Sequence, residues 1–325
     1  MTRNSIFNIR NLNDFNKIAL EIFQFQAENC AVYKDFINLL NINISEIKSI
    51  DEIPFLPIQF FKSHKILATT NTIQKTFLSS GTTGNTQSKH HITDVSIYEN
   101  SFTKGFENLY GAIEDYTVLA LLPSYLERDG SSLIYMTNHF IEKSKSSKSG
   151  FYLNNLDELC EILIELDEKN GKVLLIGVSF ALLDLVEKHN FKLKNTIIME
   201  TGGMKGRRKE LIRKELHHVL KEGFGVDTIH SEYGMTELLS QAYSKGNGIF
   251  ECPPWMKILT RDTEDALSIL PEGKSGGINV IDLANINSCS FIATQDLGKT
   301  YDNGTFEVLG RFDDSDIRGC NLMVL

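Results

Sequence analysis

Three short apolar runs constrain this chain more than anything else in it: TVLALL (117–122), VLLIGV (173–178) and TIIME (196–200). Each is the length of a strand and reads as a buried one. Stretches with helical character at 131–143, 155–169, 179–189 and 206–221 sit between or after them. Strand and helix in alternation predict an α/β fold, mainly parallel sheets flanked by helices.

The N-terminal third is patterned differently. Leu12, Phe15, Ile18, Ala19, Ile22 and Phe23 recur at helical spacing within 11–41, with Asp14 near the start of the predicted helix. Pro54 and Pro57 interrupt the apolar run that follows, so IPFLPIQFFKSHKIL is expected to be extended. Thr93–Tyr110 returns to helical spacing through Ile97, Phe102, Phe106 and Leu109. From about 248 the texture shifts to short β-like runs at 278–283, 290–294 and 305–310, broken by Gly, Asn and Asp. The expected division is an α/β core over 1–245, a smaller β-rich subdomain over 246–310, and a hinge with a truncated C-terminal segment over 311–325.

Between the proline-rich stretch and the helix at 93–110 lies FLSSGTTGNTQSKHH (77–91). Gly81 and Gly84 let the backbone bend tightly, and Ser79, Ser80, Thr82 and Thr83 supply hydroxyl donors with no negative charge. That chemistry suits phosphate wrapping, although a plain polar turn uses the same residues. Counting from Gly81 puts Thr86 and Gln87 where a Walker A loop needs Gly and Lys, and no GxGxxG follows a strand. A second cluster, HSEYGMTELLS (230–240), follows an expected strand at 226–230. Thr236 can donate to a phosphate oxygen and Glu237 can ligate Mg²⁺; alternatively the two open a helix as cap and dipole partner. In a third, ATQDLGKTY with FEVLGRFDDSD, Asp296 on a turn-like segment can accept from ribose hydroxyls, and Arg311 offers a planar fork of donors.

SSGTTG, YGMTE, QDLG and GRFDD, in that order, resemble the motifs of the acyl-adenylate-forming enzymes. IPFLPIQFFKSHK, LPSYLERDGSSLIYM, METGGMKGRRKE and GRFDDSDIRGCNLMV resemble the LuxE family, the acyl-protein synthetases of bacterial luminescence. The resemblance implies ATP and Mg²⁺ as cofactors and a fatty acid as substrate, with an acyl reductase or carrier protein as partner. It implies that Ser79, Ser80, Gly81, Thr82, Thr83 and Gly84 wrap the phosphates and that Gly202 and Gly203 shape the adenine and acyl pocket. Tyr233, followed by Gly234, would stack near adenine. Thr236 and Glu237 would hold the α-phosphate and the metal, and Asp296 and Arg311 the ribose. Asp313 falls at the position of the family's hinge, and Cys320, near the C-terminus, at that of the acyl acceptor. Two departures stand out. The Pro-Lys pair that usually continues the loop is Thr86 and Gln87 here, with Lys89 two residues late. The chain also ends at Leu325, soon after the hinge position, which leads to the expectation that a mobile C-terminal domain is missing.

Cys320, beside Arg318 in DIRGCNLM, has a neighbouring cation that favours thiolate, while a small apolar residue on a final strand is the plain alternative. The other cysteines, 30, 160, 252 and 289, form no CxxC pair, so neither a disulfide framework nor a zinc site is expected. A net charge of −9 argues against a general nucleic-acid binder. The N-terminus lacks the apolar core of a signal peptide, and the apolar stretch 173–186 is too short and interrupted to span a membrane. A cytoplasmic location is expected.

The functional expectation is ATP-dependent formation of acyl-AMP and transfer of the acyl group to a protein thiol. Delivery of a fatty or aryl acid to CoA or a carrier protein is the nearest alternative, and a non-catalytic adenylate-binding module another. GVSFA (177–181) resembles a nucleophile elbow with Ala181 in place of its last glycine, which raises a serine hydrolase or transferase built on Ser179 with His189 or His230 as base. The basic run at 205–218 reads as a solvated helix face, and His90 and His91 beside the loop as structural.

Overall fold

The computed structural model describes residues 3–80, 86–123, 130–202 and 211–312. The chain forms two compact units, one of residues 1–70 with 254 onward and one of residues 71–253. In the first, helix α1 (Leu12–Asn29) begins where Asn11 accepts from the Asp14 amide. It ends at Cys30, whose extended backbone (φ −92°, ψ 101°) separates it from α2 (Ala31–Leu39). The apolar periodicity read over 11–41 thus serves two helices. After it the prolines give a two-residue strand, β1 (Leu56–Pro57), and then a single helical turn, α3 (Phe60–Ser63).

The second unit opens with a hairpin, β2 (Lys75–Leu78) and β3 (Lys89–Ile92), that pairs Phe77 with His90. Asp94 then caps α4 (Val95–Tyr110) by accepting from the Ser96 amide. The alternation continues through β4 (Thr117–Leu121), α5 (Ser132–Lys143), β5 (Gly150–Phe151), α6 (Leu156–Glu168) and β6 (Val173–Val178). It ends with α7 (Ser179–Lys188), β7 (Thr196–Thr201), α8 (Arg213–Phe224), β8 (His230–Tyr233), β9 (Ala242–Ser244) and β10 (Ile249–Phe250). The sheet order is β5-β4-β6-β7-β8-β9, parallel as far as β8, with β9 antiparallel. Every side chain of β4 and β6 is buried, which is why those strands read as unbroken apolar runs. The strand expected at 226–230 lies instead at 230–233, and the helix expected at 206–221 covers 213–224, while 203–210 lies outside the described residues.

Helices α7 and α8 pack so closely at Gly223 that a Cβ there would lie 2.7 Å from Val186 Cγ1. Alanine is favoured over glycine in a helix interior by about 1 kcal/mol, but overpacking costs up to about 3 kcal/mol. Gly223→Ala is therefore expected to lower the unfolding free energy by about 1–2 kcal/mol in a urea titration. A variant as stable as the parent would mean that the two helices can move apart freely.

The chain then returns to the first unit with β11 (Met256–Arg261), β12 (Ser275–Asp282), β13 (Phe291–Thr300) and β14 (Phe306–Arg311), each antiparallel to the next. β1 pairs in parallel with β13, Leu56 opposite Ile292 and Pro57 opposite Ala293. Gln26, fully buried on α1, donates to the carbonyls of Asn285 and Ile286 and to Ser290 Oγ, and accepts from the Ser290 amide. Those long-range bonds fasten residues 1–70 to the C-terminal strands, so a cut at 245 does not describe how the chain packs. No helix among the described residues is long and apolar enough to cross a membrane.

Candidate functional site

The hydroxyl-rich loop crosses from β2 to β3, and its neck is closed by its own residues. Ser79 N donates to Ser88 O at 3.1 Å, Ser88 N donates to Ser79 Oγ at 2.9 Å, and Gln87 Nε2 donates to Ser79 O at 2.8 Å. Gln87, where the related motif carries lysine, thus spans the loop's base. Lys89 is exposed on β3, opposite Leu78. Ser80 is exposed, and Gly81, Thr82, Thr83 and Gly84 lie outside the described residues.

Parallel α/β sheets place ligands at the carboxyl ends of their strands. There β7 is followed by Gly202, whose φ of +66° suits glycine and whose carbonyl accepts from Ser179 Oγ at 2.7 Å. β8 ends in Tyr233, a buried ring packed edge-on at 6.0 Å from Phe250, followed by Gly234. Thr236 and Glu237 form a turn, closed by Leu238 N donating to Met235 O at 3.1 Å, and open no helix. The capping explanation for these two residues fails because the chain turns back there into β9. Glu237 is buried.

His90 joins the two motifs. It is fully buried on β3, and its Nδ1 lies 2.9 Å from the Thr236 carbonyl oxygen. A carbonyl only accepts, so Nδ1 carries the proton. Burial pushes the imidazole pKa down to about 4, the Thr236 bond opposing and His91 adding to the fall. Neutral His90 therefore ties the loop hairpin to the Thr236 turn. Reading the sequence missed this role, because only the pairing of His90 with Phe77 shows that the ring faces inward.

Beside that turn, Thr201 Oγ1 donates to Glu232 Oε2. The surrounding protein pushes the Glu232 carboxyl up to about 7; the Thr201 bond lowers it and Glu200 raises it further. Glu200 faces Arg213 Nε at 3.7 Å and His217 Nε2 at 3.5 Å.

In the other unit, Asp296 is on strand β13, not on a turn, and is buried opposite Arg311 in the ladder. The Arg311 side chain is 73% exposed, with Nε 3.3 Å from Asp296 Oδ1. Gly203, Asp313 and Cys320 lie outside the described residues. Neither histidine read as a base for Ser179 is hydrogen-bonded to it, and the one ionisable group near its hydroxyl among the described residues is Glu200 Oε2 at 3.4 Å. Buried Ser179 gives its hydroxyl to Gly202 O, His189 sits 3.2 Å from Asp157, and His230 is 3.1 Å from the Tyr110 hydroxyl. No cluster of three or more His, Cys, Asp or Glu suited to a metal occurs among the described residues.

The family model for LuxE, acyl-protein synthetase, matches residues 126–325. The chain belongs to the LuxE family. No curated protein matches it in sequence. Among solved structures, 2-hydroxyisobutyryl-CoA ligase in the postadenylation state with 2-HIB-AMP is similar at a TM-score of 0.67 and 14% identity, over 93% of this chain and 68% of that one. ATP-bound MatB from Rhodopseudomonas palustris is similar at 0.56 and 16% identity, over 75% of this chain and 49% of that one. The chain thus spans about half the length of MatB. At these identities the likeness carries the fold alone: α/β, with an antiparallel β-rich sheet toward the C-terminus.

Proposed function

We propose that this LuxE-family protein activates a long-chain fatty acid with ATP to acyl-AMP and passes the acyl group to a protein thiol, its own Cys320. The observation that carries the reading is the His90–Thr236 hydrogen bond, which joins the hydroxyl-rich hairpin to the YGMTE turn. Those are the two segments that phosphate binding would need side by side.

The chemistry asks little of general acids or bases. A fatty carboxylate is ionised near neutral pH, so its oxygen can attack the α-phosphorus directly. The new P–O bond makes the mixed anhydride as the bond to pyrophosphate breaks. Positioning and charge stabilisation are the protein's share. Hydroxyls of Ser79, Ser80, Thr82 and Thr83, with the amides of Gly81 and Gly84, would hold the phosphates, and Thr236 would donate to the α-phosphate. Glu237, a carboxylate in a turn with no helix to cap, fits a hard cation; Mg²⁺ bound there would offset phosphate charge. Tyr233, Gly202 and Gly203 would border the adenine, and Asp296 and Arg311 would take the ribose. Attack of the Cys320 thiolate on the acyl carbon would then form the thioester and release AMP. An acyl reductase is the class of partner that would consume that thioester.

Two measurements test this. ATP–pyrophosphate exchange is expected with long-chain fatty acids in a panel of carboxylic acids, and exchange with no acid would sink the reading. Labelled fatty acid and ATP are expected to label the protein, with the label lost in Cys320→Ser. Label that survives that substitution, or appears only on added CoA, would reassign the acceptor.

A further inference from the structure

The carboxyl of Glu232 has no place in the chemistry above, yet it touches both glycine-containing ends of the sheet. Its Oε2 accepts from Thr201 Oγ1, one residue before Gly202 at the end of β7. Its Oε1 lies against Gly234, where a Cβ would collide with it. Thr201 and Glu232 are register partners in adjacent parallel strands, so the contact crosses the sheet just where both strands stop. We propose that Glu232 is a positioning residue, a strut that holds the Thr201–Gly202 end of β7 against the turn at Gly234. It thereby sets the spacing between Gly202 and Gly234, the two glycines read as bordering the nucleotide, and the inference rests on the nucleotide-site reading given above.

The surroundings say in which form the strut works. From β7 it faces Glu200 and Thr201, from α4 Tyr98, and from the strand and approach of β9 Tyr243 and Gln241. The Arg213 guanidinium and the His217 imidazole on α8 stand beside Glu200, 3.7 and 3.5 Å away. Glu232 has hydroxyls and an amide around it and a second carboxylate nearby. Among the described residues the buried Gln241 Oε1 and Tyr243 hydroxyl have no hydrogen-bond partner, so the cluster has spare capacity to accept a proton's hydrogen bond. A neutral Glu232 suits this setting, and its ionisation would put two carboxylates side by side at the end of the sheet.

The experiment is calorimetric binding of AMP to the full-length protein from pH about 6 to about 8. Wild type, Glu232→Gln and Glu232→Ala are compared, each shown to be folded by circular dichroism and thermal melting. Glu232→Gln keeps a neutral side chain of the same length, so its affinity should match the wild type at low pH, the phosphate of AMP titrating alike against both. Relative to that variant, wild-type affinity should weaken as pH rises and the carboxyl ionises. Glu232→Ala should bind about tenfold more weakly at every pH, the effect of one lost hydrogen-bonded contact. Folded Glu232→Ala that binds as tightly as wild type, or a wild-type pH profile shared by Glu232→Gln, overturns this inference alone. Wild-type protein that binds no AMP at any pH overturns it together with the nucleotide-site reading.

Discussion

Arg261→Met is expected to destabilise the protein by about 3–5 kcal/mol, the usual cost of removing one side of a buried, hydrogen-bonded charge. Arg261 lies buried at the end of β11. Its Nη1 donates to Ile278 O and to Asn279 Oδ1, each at 2.8 Å, and its Nη2 to Thr294 O at 2.6 Å. One guanidinium therefore fastens β11 to β12 and β13 where the ladder between the latter two slips register, between Gly277 and Asn279. Gly277 makes the room, since a Cβ there would lie 2.6 Å from Arg261 Cζ. Burial lowers the guanidinium pKa, and nearby Asp296 opposes the fall. Methionine would fill the volume but take the guanidinium from Asn279 Oδ1 and Thr294 O, while Ile278 O would keep the Thr294 hydroxyl at 2.9 Å. Lysine would keep the charge and lose the planar fork, so Arg261→Lys should recover less than half of the loss. Urea unfolding monitored by circular dichroism measures both. An Arg261→Met protein within about 0.5 kcal/mol of wild type would show that water replaces the guanidinium at no cost.

Replacing His90 by alanine should both destabilise the fold and cut acid-dependent ATP–pyrophosphate exchange by about a hundredfold, because the Thr236 turn loses its tether. Loss of a fully buried ring costs on the order of 3 kcal/mol. Asparagine can place its side-chain amide where Nδ1–H now lies, so His90→Asn should restore much of the exchange. Exchange equally low in His90→Asn and His90→Ala would argue that ring packing, and not the bond to Thr236, matters. The pH dependence supplies a second readout with a definite sign. The folded imidazole titrates near 4, against about 6.5 in the unfolded chain. Below about 6.5 the unfolded state therefore binds a proton that the folded state refuses, and stability falls as pH drops from 6.5 toward 4. By pH 4 the loss attributable to His90 is about 3 kcal/mol. His230, whose pKa burial also lowers to about 4, adds in the same direction. Glu232 works the other way, favouring the fold as pH falls through about 7. The difference between wild type and His90→Asn isolates the His90 share, and parallel stability curves for the two proteins between pH 4 and 6.5 would contradict it.

Much of the α/β unit was legible because its signals are local. TVLALL and VLLIGV are apolar throughout because β4 and β6 are covered on both faces, and burial of that kind is written residue by residue. Legibility failed where chain direction depended on distant contacts. Cys30 splits the helical pattern of 11–41 because its backbone is extended, although the apolar spacing carries on past it. Asp296 reads as part of a turn-like segment in ATQDLGKTY, but β14 pairs with β13 through it. Thr236 and Glu237 had the composition of a helix start, and the return of the chain into β9 makes them a turn.

By itself the sequence determined the alternation of strand and helix, the glycine and hydroxyl loop at 79–84, and the ordered motifs that mark the LuxE family. Each depends on residue type and spacing along the chain, and those are present before anything folds. Only the tertiary structure decided that residues 1–70 pack with the C-terminal strands through Gln26. It alone made His90 a neutral tether to Thr236 and set Glu232 between the ends of β7 and β8. The physical reason is that a side chain's hydrogen-bond partner and proton affinity are set by what lies across from it in space. For Gln26 and Ser290, that partner is more than two hundred residues away.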